Sequence, residues 1–120
     1  MAVSPREIIN NLVSNPPIPQ SLKFGKVTVK IHGHETVVQM FDYTVYRIAY
    51  HLEDEETSPP RRTMVAWVFV AAPRISDEEL EGKTAAQIEE LWKRRFMENL
   101  NNEFRSVVNI YLTNRSLMRG

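Results

Sequence analysis

The chain has 120 residues, of which 42% are hydrophobic and 25% charged, with 15 basic against 15 acidic side chains and no cysteine. These figures describe one globular domain with a core of ordinary size and exclude a disordered chain. The absence of cysteine excludes disulfides and thiolate metal centres, and the charge balance argues against a dedicated nucleic-acid binder, which needs a basic excess.

Residues 1–15 read as a short helix. Ser4 suits the N-cap, Pro5 the first helical position, and Glu7 completes a capping box. Ile8, Ile9, Leu12 and Val13 follow at helical spacing, and Asn15 before Pro16 and Pro17 ends the element. The opening stretch MAVSPREIIN lacks the apolar core of a signal peptide. The longest nearly apolar run, TMVAWVFVAAP, is about half of what a membrane-spanning helix needs. The expectation is therefore a cytoplasmic protein, or one in a host cell's cytoplasm should the source be viral or phage, with no membrane partner.

Residues 23–72 read as a four-stranded, mostly antiparallel meander. In KFGKVTVKI, Val27, Val29 and Ile31 point one way while Lys26, Thr28 and Lys30 point the other. TVVQMF and TVYRIAYHL carry strand-favouring residues, with a turn or kink expected near Asp42 and Tyr43. EDEETSPPRR is a polar loop. The last strand, TMVAWVFVAA, is apolar on both faces, although a terminal strand should have one wet face. It either lies inside the sheet or is covered by a helix or a second subunit.

Residues 76–112 read as helical. Ser76 with Glu79 heads a short helix that Gly82 breaks, and Thr84 with Gln87 heads a long one. Ile88, Leu91, Trp92, Phe96, Leu100, Phe104, Val107, Val108 and Tyr111 form its apolar stripe, and the tail TNRSLMRG reads as frayed. The expected fold is thus α+β in a single domain, 1–120, with the long helix packed across one sheet face. A helix of about 28 residues spans roughly 40 Å, more than a strand of about 17–20 Å can cover. That excess suggests an oligomer interface formed by Val65, Trp67 and Phe69 with Phe104, Val108 and Tyr111.

One motif, IHGHE at 31–35, carries three competing chemistries. Histidines at i and i+2 of a strand share a face, so His32 and His34 could hold a metal with Glu35 or His51 as a third ligand. Paired histidines also serve DNA-nicking enzymes that use a tyrosine on a later helix, here Tyr111, but Gly33 stands where those pairs have an apolar residue. The reading preferred here is a hairpin tip in which Gly33 supplies a positive φ. No nucleophile elbow, phosphate loop or cofactor fingerprint occurs, so no cofactor is expected.

The expected function is that of a small non-enzymatic assembly or adaptor protein, whose partner is itself or another protein. The alternative is a single-stranded nucleic-acid module using a sheet face that carries Lys26, Lys30, Phe41, Tyr43 and Arg47.

Overall fold

A computed structural model describes residues 3–119; Met1 and Ala2 at the start of the first expected helix and Gly120 at the end of the tail lie outside the described residues. The architecture is α+β: helix α1 (Pro5–Ser14), strands β1 (Ser21–Phe24), β2 (Val27–Met40), β3 (Tyr43–Asp54), β4 (Arg61–Arg62) and β5 (Ala66–Ala71), then α2 (Asp77–Leu80) and α3 (Ala85–Arg119).

The helix starts form as their local chemistry demands. The Ser4 side chain accepts a hydrogen bond from the Glu7 amide, and Pro5 occupies the first turn. Ser76 and Glu79 form a complete capping box. Thr84 and Gln87 form the same reciprocal pair, with Gln87 Oε1 accepting from the Thr84 amide at 2.9 Å and Thr84 Oγ1 from the Gln87 amide at 3.2 Å.

All strand pairs are antiparallel, and the sheet runs β1–β2–β3 with both β4 and β5 on the far side of β3. The element expected as the fourth strand is therefore an edge strand beside β3, and the expected four strands become five through the two-residue β4. Phe41 and Asp42 turn β2 into β3. β2 has 14 residues and β3 has 12, and the pairing absorbs the surplus of two in register shifts at His32 and Val37.

The core lies between one sheet face and the two long helices. Val27 and Val29 of β2, Tyr46, Ile48, Tyr50 and Leu52 of β3, and Val70 of β5 are buried there. On α3 the buried line is Ile88, Trp92, Phe96, Leu100, Phe104 and Val108, spaced by four throughout. A ridge of i+4 positions inclines about 26° to the helix axis, so α3 crosses the sheet obliquely and keeps contact over most of its length. Phe96 stacks on Trp92 at 5.0 Å and meets Tyr46 edge-on at 5.7 Å, while Phe104 meets Tyr50 edge-on at 5.3 Å. The Tyr46 hydroxyl donates to the carbonyl of Val13 at 2.6 Å, which ties the end of α1 to the sheet.

The tail is helical, not frayed, through Arg119. Arg115 Nη1 donates to Oδ2 of the buried Asp54 at 2.7 Å, and Arg115 Nη2 donates to Glu56 at 3.0 Å. Two β-loop carboxylates thus hold the last turns of α3. With 35 residues at 1.5 Å each, α3 is roughly 52 Å long and sets the 60 Å long axis of the molecule.

Candidate interaction surface

The face of the sheet turned away from α3 follows from register, because residues directly opposite one another point to the same side. On β3 the core-facing residues are Tyr46, Ile48, Tyr50, Leu52 and Asp54, so Tyr43, Val45, Arg47, Ala49, His51 and Glu53 face outward. β5 matches them with Trp67, Phe69 and Ala71 opposite Ala49, Arg47 and Val45. Trp67 keeps 60% of its surface exposed and Phe69 59%, and Met64 and Val65 beside them are exposed as well. No helix of this chain covers them. The Arg47 guanidinium lies over the Trp67 ring, 5.6 Å from its centre, and pairs with Glu35 across the strand.

The backbone of β5 is also available. Ala72 donates to the Thr44 carbonyl at 2.9 Å, which fixes the phase of the ladder. Hydrogen-bonded positions alternate in an antiparallel pair, so Ala66, Val68 and Val70 spend their amides and carbonyls on β3. Trp67, Phe69 and Ala71 direct theirs to the open edge. Of these groups the Ala71 carbonyl is already taken, by Asn99 Nδ2 of α3 at 3.0 Å.

The expected interface residues thus divide. Val65, Trp67 and Phe69 lie on this open side. Phe104 and Val108 are buried in the chain's own core, and the Tyr111 hydroxyl donates to Asp54 at 2.7 Å, so they form no exposed seam. The excess length of α3 is used by the oblique crossing and by the Asp54 anchor.

The expected nucleic-acid residues divide too. Lys30, Tyr43 and Arg47 share the outer face, whereas Lys26 sits in the β1–β2 turn and Phe41 in the β2–β3 turn. Those turns are separated by the length of β2, about 45 Å at 3.3 Å per residue. Cations on the outer face are Lys23, Lys30, Arg47 and Arg62, against Glu35 and Glu53.

Residues IHGHE lie in the middle of β2 and form no hairpin tip; the glycines with positive φ are Gly25 and Gly82. The register shift at His32 explains why the two histidines do not act together. One extra residue inverts the face parity of all that follows. His34 falls opposite the core residue Ile48 and meets Tyr46 edge-on, while His32 Nε2 lies 2.6 Å from His51 Nδ1 on the outer face. Arg62 Nη2 stands 3.2 Å from the other nitrogen of His51, and Glu53 3.6 Å from it. Among the described residues no group of three or more His, Asp or Glu side chains is placed to hold a metal ion. Tyr111 lies with Asp54 on the helix side of the sheet, away from His32, so the nicking constellation does not assemble.

A groove of about 850 Å³ opens between α1, the β2–β3 turn and residues 72–79. Its charged groups engage one another: Arg6 binds Asp77 at 2.7 Å, Arg74 donates to the Asp42 carbonyl at 3.2 Å, and Glu79 pairs with Arg95. The hydrogen bond from Arg95 lowers the Glu79 carboxyl to about 2. No charged group is left directed into the groove. Sequence reasoning missed this groove and the Asp54 anchor, both of which join segments distant in the chain.

No helix among the described residues is long and apolar enough to cross a membrane. Comparison with protein-family models, curated proteins and solved structures finds no match to this chain.

Proposed function

We propose that the protein is a non-enzymatic assembly or adaptor protein that docks an extended polypeptide, its own or another protein's, along the open edge of β5 and over Trp67 and Phe69. The observation that carries this reading is the combination of unspent edge backbone with two large aromatic side chains more than half exposed beside it. Single proteins guard their edges with charges, prolines or bulges, and Ala66–Ala71 has none of these. Strand addition obtains affinity from main-chain bonds and specificity from alternate side chains, and this edge offers both.

Native mass spectrometry of the purified protein tests the reading. An associated species, lost on Trp67→Glu/Phe69→Glu with unchanged thermal unfolding, is expected. A bare monomer at every concentration, retaining no polypeptide, would refute it.

A second reading is favoured by the cations and rings sharing this face: single-stranded nucleic acid stacking on Trp67 and Phe69. It requires an oligonucleotide affinity that falls with salt and with Lys30→Ala/Arg47→Ala; absence of binding at low salt ends it. For either role, a chain without cysteine suits a reducing compartment such as the cytoplasm, including a host cell's should the source be viral.

A further inference from the structure

We infer that the strand docked on β5 is β5 of a second copy, antiparallel to the first about a twofold axis through Val68. The inference rests on the reading above that β5 is a docking edge, and it adds the partner and the register.

The register follows from parity. The groups directed to the open edge belong to the odd-numbered residues Trp67, Phe69 and Ala71. In an antiparallel pair of identical strands, an odd residue must therefore stand opposite an odd residue. Three alignments centred within the strand satisfy this. Placing Trp67 opposite its own copy pairs Phe69 with Val65, which lies outside the strand. Placing Phe69 opposite its own copy pairs Trp67 with Ala71, whose carbonyl already accepts from Asn99. Centring the axis on Val68 pairs Trp67 with Phe69 of the second copy, and Phe69 with its Trp67. Both pairs exchange two bonds, so the four free groups of Trp67 and Phe69 are satisfied and the capped Ala71 carbonyl is not needed.

Side chains favour the same alignment. Trp67 and Phe69 of the second copy stand directly opposite on the outer face, and the symmetry repeats the pair, which closes four rings into one cluster across the seam. Aromatic cross-strand pairs are among the favourable ones in sheets. No charge lies within Ala66–Ala71, so no like charges oppose one another, and the chain's zero net charge adds no long-range repulsion. A self-complementary patch closes at two copies. The opposite edge of the sheet, β1, offers four residues and carries Lys23, which gives a second copy less backbone and a charge to accommodate.

The absence of cysteine provides a clean test. Val68 and its counterpart would form a non-hydrogen-bonded pair with Cα atoms about 4.5 Å apart, within the range a disulfide spans. Trp67→Cys, Val68→Cys and Phe69→Cys are each made singly, checked for folding by circular dichroism, and oxidised under identical dilute conditions. The covalent dimer should form several-fold faster at position 68 than at 67 or 69. Faster cross-linking at 67 or 69 would overturn the register. In parallel, the unmodified chain should sediment as a dimer and become a monomer with Trp67→Lys. Sedimentation as a monomer at about 100 µM, already a weak-binding limit, would overturn the second copy as partner. In that event a labelled peptide of residues 64–72 separates the two failures. Binding of the peptide leaves β5 a docking edge, and no binding sinks that reading as well.

Discussion

Replacing Asp54 by Asn tests the anchor between the β3 end and the last turns of α3. The Asp54 side chain is fully buried and accepts three hydrogen bonds: from Tyr111 Oη and Arg115 Nη1 at 2.7 Å each, and from the Glu56 amide at 3.0 Å. Asparagine keeps the shape and one acceptor oxygen but turns an amide NH₂ toward the two donors that share Oδ2. The loss is one charge-assisted bond of roughly 1.5–3 kcal/mol and one neutral bond of about 1 kcal/mol, together about 3 kcal/mol at neutral pH. For a domain of this size that lowers the unfolding midpoint by about 10 °C. Burial alone pushes the Asp54 carboxyl up, but the bonds from Tyr111, Arg115 and the Glu56 amide outweigh it and hold the group below its ordinary 3.8. A depressed carboxyl contributes its stability above the unfolded value and loses it as the pH falls through the folded one. The gap between Asp54→Asn and the parent should therefore be full at pH 7 and narrow as the pH drops below 3.8. Glu79, which titrates in the same acid range, is common to both proteins and cancels in the difference. Urea unfolding of the pair across this range is the assay. A loss under about 1 kcal/mol at pH 7, or a gap that persists in acid, would refute the anchor as described.

Gly33 meets nothing within 4 Å of an added Cβ and has no positive φ, so Gly33→Ala should leave stability unchanged or raise it by up to about 1 kcal/mol. Gly25→Ala, at φ +63, should cost about 1–2 kcal/mol; denaturant midpoints of the two variants read both effects. Phe96→Ala removes a fully buried ring packed on Trp92 and Tyr46 and should cost about 3–5 kcal/mol by thermal unfolding. Burial raises Tyr46 from 10.0 to about 12, so its contribution is complete below pH 10 and disappears as the pH rises through 12. Stability measured across that alkaline window should fall less steeply in Tyr46→Phe than in the parent.

What was legible in the sequence was local. Ser76 with Glu79 and Thr84 with Gln87 are three residues apart, and the chemistry that pairs them needs no tertiary context. The line from Ile88 to Val108 declares its buried side through spacing alone, and it points to a helix on a sheet. The HGH motif misleads because strand parity is counted by alternation, and alternation fails at a bulge that only the pairing with β3 creates. With no bulge His32 and His34 would share a face; with it His32 meets His51, 19 residues away. Asp54 and Arg115 are 61 residues apart, so nothing local marks either as an anchor. The segment TMVAWVFVAA is a different case. Its apolar outer residues are plain in the sequence, but being apolar says only that a surface suits burial, and not whether this chain provides the cover.

The order of elements along α3 and the sheet has a consequence for synthesis. Every strand precedes α3, so during translation the hairpin of β2 and β3 can zip up by local contacts while Tyr46, Ile48, Tyr50 and Val70 still lack their cover. That unfinished sheet displays two sticky faces at once: the helix side until α3 emerges, and the Trp67–Phe69 side throughout. Nascent chains on one message would meet with both exposed, a state prone to aggregation. The Arg115 latch is among the last bonds the chain can make, and a product truncated before it would lack the contact that holds the final turns of α3 over the sheet.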